Sequence, residues 1–107
     1  MKTVRNASAH AVDQAAKAGD WLLGELQALG ERHGELVSNV RGRGLMCALD
    51  LPARAARDTV VKRLLDERVI VLPAGERTVR FRPALDVTEQ DLEFGLAALD
   101  RVLDSLT

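Results

Sequence analysis

Leu45-Met46-Cys47-Ala48-Leu49-Asp50-Leu51 and Thr78-Val79-Arg80-Phe81-Arg82 are the two stretches on which the fold turns. In the first, Leu45, Cys47, Leu49 and Leu51 recur at every second position, the spacing at which side chains leave a strand on one face. Pro52 follows and has no N–H to continue a ladder. In the second, Val79 and Phe81 alternate with Thr78, Arg80 and Arg82 before Pro83 stops the run. Both read as half-buried strands. Arg80 and Arg82 leave by the side opposite Val79 and Phe81.

Upstream, Val12, Ala15, Gly19, Leu22, Leu26 and Leu29 are spaced by three or four residues, which predicts one helix over Ala9–Arg32. Ser8 is its candidate N-cap, and Gly30 or Gly34 its stop. Its first half is alanine-rich on several sides, a composition that suits either helix propensity or close approach of another surface. Leu36–Val40 and the Arg41-Gly42-Arg43-Gly44 connection then lead into the first quoted strand. Between the two quoted strands, Ala55–Arg68 predicts a helix burying Val60, Val61, Leu64 and Leu65. Val69–Leu72 predicts a short strand covered on both faces, and Pro73–Arg77 a turn. Thr88-Glu89-Gln90-Asp91 resembles a capping box with Asp in the last place. It opens a helix with Leu92, Leu96, Leu99, Leu103 and Leu106 on one face. The order is α-β-β-α-β-β-α with short connections. Short turns between neighbouring strands favour antiparallel pairs, so the expectation is an α+β, two-layer single domain over 1–107, its helices packed on a mostly antiparallel sheet.

Composition narrows the function. Fifteen basic against sixteen acidic residues leave a net charge of −1, without the basic excess of a nucleic-acid binder. No apolar run approaches the roughly 18 residues of a membrane span. A single cysteine cannot close an internal disulfide, which points to a reducing compartment, and we expect a cytoplasmic protein.

Few residues carry chemistry. The glycines of Arg41–Gly44 precede a strand, whereas a dinucleotide fingerprint follows a strand and opens a helix. His10, His33 and Cys47 show no close ligand spacing, so no metal site is expected. Arg80 and Arg82 remain. Side by side they form either a solvated sheet face or a carboxylate receptor, since the planar guanidinium fork matches a carboxylate bidentately.

Val40-Arg41-Gly42-Arg43-Gly44-Leu45-Met46-Cys47-Ala48, Val69-Ile70-Val71-Leu72-Pro73-Ala74-Gly75, and Val79-Arg80-Phe81-Arg82-Pro83-Ala84-Leu85 with a helix beginning Val87-Thr88-Glu89 resemble the C-terminal small domain of class III, fold-type I aminotransferases. Within that family the segments are most similar to the L-lysine 6-aminotransferases. Ala84 departs from the pattern, where many relatives carry a second proline. The resemblance implies pyridoxal phosphate as cofactor, held with its aldimine lysine by a large domain that this chain lacks. It implies an ω-amino donor such as lysine, 2-oxoglutarate as acceptor, and a homodimer when intact. Arg80 is then the residue that binds the substrate carboxylate, and Arg82 has no assigned role. Lys2, Lys17 and Lys62 suit no Schiff base, so this chain is expected to supply no catalytic or cofactor-binding residue and to be inactive alone. The competing reading is a free-standing α+β interaction or regulatory module.

Overall fold

A computed structural model describes residues 2–83 and 87–106, with side chains from Ala16 onward. The elements are α1 (Lys2–Arg32), β1 (Ser38–Arg43), β2 (Met46–Asp50), α2 (Arg54–Asp66), β3 (Leu72–Ala74), β4 (Thr78–Phe81) and α3 (Glu89–Ser105). Their order is the expected α-β-β-α-β-β-α. The four strands form one antiparallel sheet in the order β1-β2-β4-β3.

The period-2 reading of β2 and β4 sets the faces. Cys47 pairs with Phe81 and Leu49 with Val79, so these side chains share one side of the sheet. Cys47, Leu49 and Val79 are buried there with Leu22, Leu26 and Leu29 of α1 and Val60 and Leu64 of α2. Burying one leucine is worth about 1.5–3 kcal/mol, so this continuous apolar layer is the main source of stability. Helix α3 packs on α1 and α2 through Leu92, Leu99, Val102 and Leu103. The capping box forms in full: Asp91 N–H donates to Thr88 Oγ1 at 3.1 Å, and Thr88 N–H to Asp91 Oδ2 at 3.4 Å.

Several boundaries differ from the sequence expectation. Helix α1 begins at Lys2, so Ser8 lies inside it rather than at its cap. It runs through Gly30, and Gly34 falls in the turn that follows. The side chains of Ala7, Ala9, Ala11 and Ala15 lie outside the described residues, as does Ala84, whereas Ala16 is exposed and Ala18 is half-buried against the core. Arg41-Gly42-Arg43 belongs to β1, and the turn is made by Gly44, with φ of 57°, and Leu45. Gly42 suits a strand here because a Cβ would meet Cys47 Sγ at 2.7 Å.

Arg57 takes a place on the buried stripe of α2, whereas Leu65 is exposed and Val61 half-buried. The predicted strand Val69–Leu72 is displaced: β3 starts only at Leu72, and Ile70 is 76% exposed. The reason is Pro73. A residue without an N–H fits an edge strand, and β3 is the edge beside β4, not a strand covered on both faces.

Candidate carboxylate-binding face

The helices leave the other side of the sheet bare. Arg43 sits opposite Met46, and Ala48 lies between Arg41 on one side and Arg80 on the other. Thr78 pairs with Asp50, and Arg80 also pairs with Leu72 of the edge strand. Arg80 is therefore in the middle of the sheet, its backbone fixed by strands on both flanks. Arg82 lies just past the end of β4, which stops at Phe81. A shallow concavity of about 540 Å³ opens over Arg41, Arg43, Met46, Ala48, Arg80 and Arg82. Ala48 contributes only a methyl group to its floor, so the neighbouring arginines keep room above the sheet.

The four arginines are not equivalent. Arg41 donates from Nη1 to Asp50 Oδ1 at 3.2 Å and to the Asn39 carbonyl at 2.8 Å. Asp50 is buried, and burial alone would raise its carboxyl. Hydrogen bonds from Thr78 Oγ1 at 2.6 Å, Asn39 Nδ2 at 3.1 Å and Arg41, with the Arg41 charge, outweigh that and hold it below the usual carboxylate range. Asn39 reaches Asp50 because β1 bulges between Ser38 and Arg41, with Asn39 at φ of 52°, a region asparagine tolerates. Arg80, Arg82 and Arg43 are exposed and make no hydrogen bond or ion pair among the described residues. Arg80 thus offers a permanently charged, unpaired fork, as a carboxylate receptor requires.

Two polar arrangements escaped sequence reasoning. Arg57, 5% exposed, donates from Nε to Asp58 Oδ1 at 2.7 Å, and from Nη1 to the carbonyls of Ala74 at 3.0 Å and Thr78 at 3.3 Å. It pins both ends of the β3–β4 turn. The signal was an arginine at position 57 in step with Val60 and Leu64. His33, also buried, stands 2.7 Å from Asp100 Oδ1 of α3, with Arg32 at 3.3 Å. A carboxylate only accepts, so Nε2 carries the proton in that bond. No local pattern announces a pair 67 residues apart.

For the cofactor, the chain offers no fitting lysine among the described side chains: Lys17 and Lys62 are both exposed. Neither has the dry surroundings that lower an amine's pKa for Schiff-base chemistry.

Comparison with known proteins completes the picture. The family model described as aminotransferase class-III matches residues 2–103. An L-lysine-epsilon aminotransferase of Amycolatopsis lactamdurans is 50% identical over 95 residues, covering 88% of this chain and 21% of the relative. The enzyme of the same name from Mycobacterium tuberculosis is 41% identical, over 89% of this chain and 21% of its own length. Among solved structures, the lysine aminotransferase from M. tuberculosis in its internal aldimine form superposes with a TM-score of 0.90 at 39% identity, over 94% of this chain and 23% of that one. The chain spans about a fifth of the length of the relatives it matches.

Proposed function

Because the chain belongs to the class III aminotransferase family, we propose that it is the small domain of a pyridoxal-phosphate-dependent transaminase. That enzyme moves the ω-amino group of a lysine-like donor to 2-oxoglutarate. The observation that carries this reading is Arg80: central in the sheet, exposed, and without a counter-charge among the described residues. Its part is to bind and orient. Two N–H groups of one guanidinium meet the two oxygens of the substrate α-carboxylate, and a charge that persists at every working pH needs no proton uptake. The β2 and β3 ladders hold the arginine's backbone, so little ordering remains at the moment of binding.

No described residue here fits the cofactor, so its chemistry belongs to the length of the relatives that this chain does not cover, and the chain alone is inactive. An acidic residue from that remaining length would neutralise Arg80 while an ω-amino group is reacting, then release it to the diacid. The intact enzyme is a cytoplasmic homodimer in this reading.

The test is single-turnover kinetics of both half-reactions in an intact aminotransferase carrying this segment. Charge-assisted hydrogen bonds are worth roughly 1.5–3 kcal/mol, so Arg80→Ala should slow the 2-oxoglutarate half-reaction by about 10- to 100-fold. The ω-amino half-reaction should lose much less, and Arg80→Lys should recover only part. Equal losses in both halves, or none, would refute the assignment.

A further inference from the structure

Away from the bare face, the carboxyl ends of two helices meet. His33 directly follows α1, and Asp100 and Asp104 stand four residues apart in the last two turns of α3. Unpaired carbonyls make such helix ends electronegative. Carboxylates at this spacing share one helix face and repel. Both reach the same imidazole: His33 Nε2 lies 2.7 Å from Asp100 Oδ1 and 3.8 Å from Asp104 Oδ1. The His33 side chain is only 6% exposed, so packing fixes where its ring points. Arg32 reaches Asp100 Oδ1 at 3.3 Å from an exposed position.

The donor set and its spacing suit a metal ion. Zinc binds imidazole nitrogen and carboxylate oxygen at about 2.0–2.2 Å, which puts tetrahedral ligands about 3.4 Å apart. The three donors here lie within 4.8 Å of one another, and the two separations from His33 fall on either side of that tetrahedral edge. Calcium and magnesium prefer oxygen ligands alone, whereas an imidazole in the set favours zinc-like ions. A concavity of about 140 Å³, lined by Glu25, Arg32 and Asp100, opens beside the donors. It gives an entry path and room for a water in the fourth position. We propose that His33, Asp100 and Asp104 bind a divalent transition-metal ion of the zinc type, which staples the end of α1 to α3. The ion takes the Nε2 lone pair, and the neutral ring then carries its single proton on Nδ1. Arg32 releases Asp100 and turns to solvent. Local sequence spacing gives no sign of such a site, because only the fold brings His33 to Asp100, 67 residues on.

Calorimetric titration of the 107-residue chain with zinc chloride, and separately with magnesium and calcium chloride, tests this in a buffer that does not chelate metals. One equivalent of zinc should bind, more tightly than either other ion, and the zinc-loaded chain should melt at a higher temperature. In nuclear magnetic resonance spectra the ring signals of His33 should move with saturation while those of His10 stay in place. Loss of an outer partner alone costs about 10–100-fold in metal affinity, so Asp104→Asn, which removes a direct ligand, should cost at least about tenfold. His33→Gln should abolish binding. Arg32→Gln should tighten it by up to about fivefold, because it removes an exposed cation that competes for Asp100. The amide spectrum of each variant reports that it remains folded. Zinc that binds without moving His33, or equally well after Asp104→Asn, marks an adventitious ion only and overturns the site. Magnesium or calcium binding as tightly as zinc removes the imidazole from the ligand set and overturns it too. So does unchanged affinity in Arg32→Gln, which places the ion away from Asp100, or the absence of any binding at millimolar zinc.

Discussion

Arg57 and Arg80 stand on opposite sides of the same sheet, and the sheet uses them in opposite ways. Arg57, on the helix-covered side, is buried and spends its guanidinium on Asp58 and the carbonyls of Ala74 and Thr78. Arg80, two residues past Thr78 on the bare side, is exposed and spends its guanidinium on nothing in the described chain. One arginine closes the β3–β4 turn; the other is left available by the strand that the turn positions. Residue type alone does not separate a structural arginine from a ligand-binding one. What separates them is whether the fold itself supplies acceptors.

The contrast is sharpest in stability. Arg57→Ala strips the half-buried carbonyls of Ala74 and Thr78 of a charged donor, at about 1–3 kcal/mol for each bond, and removes a buried side chain from α2. We expect a loss of roughly 2–4 kcal/mol in urea unfolding, with Arg57→Lys in between because an ammonium cannot span the same acceptors. A loss below about 0.5 kcal/mol, the range of ordinary surface substitutions, would remove Arg57 from the structural side of the comparison.

Next in size is the seam where α1 meets the β1–β2 hairpin. A Cβ at Gly19 would lie 2.1 Å from the Gly44 carbonyl oxygen, a backbone atom with no rotamer to yield. Gly19→Ala should therefore cost about 1–3 kcal/mol. Gly24, on the same helix with nothing within 4 Å of its Cβ direction, is the control. Gly24→Ala should stabilise by about 0.5–1 kcal/mol through helix propensity. Equal effects at the two glycines in thermal melts would mean that α1 does not press on the hairpin.

Smaller again is the acid sensitivity of the α1–α3 contact. The hydrogen bond from His33 holds the Asp100 carboxyl below its ordinary range, burial opposes this, and Arg32 assists. A carboxylate depressed in the folded state adds stability above its unfolded value of about 3.9, and that stability disappears as pH falls through the folded value. Asp100 is partly exposed, so the gain is under about 1 kcal/mol. Asp100→Asn should flatten the decline of the urea midpoint below about pH 4 and leave its shape near neutrality unchanged. An unaltered acid limb would assign that decline to other carboxylates.

Much of this was legible beforehand, for identifiable reasons. β2 and β4 announce themselves because one face is buried, and burial imposes alternation on Cys47, Leu49, Val79 and Phe81. The start of α3 is legible because a capping box is a local chemical device. Arg80 stands out as an arginine on the polar side of an alternating strand, and it lies on the bare face as expected. β3 is less legible: Val69–Leu72 is apolar throughout, yet the missing N–H of Pro73 restricts a strand more than a run of Val, Ile and Leu promotes one. Arg57 is hidden because a charged residue carries no local sign of burial. Its acceptors are carbonyls from a turn 17 and 21 residues away, which no pattern within α2 encodes. The pairing of Arg41 with Asp50 was hidden too, since it depends on the bulge at Asn39.

The division of labour between the two faces is most directly tested by measuring fold and ligand in the same variant. Arg80→Ala in the 107-residue chain should leave the free energy of urea unfolding within about 0.5 kcal/mol of the parent. In the same sample, the chemical-shift changes that butyrate, as a carboxylate ligand, induces around Ala48 and Leu72, the cross-strand neighbours of Arg80, should disappear. Unfolding weakened by more than about 1 kcal/mol, or a butyrate response that survives the substitution, would contradict the account, because an arginine reserved for a ligand can produce neither result.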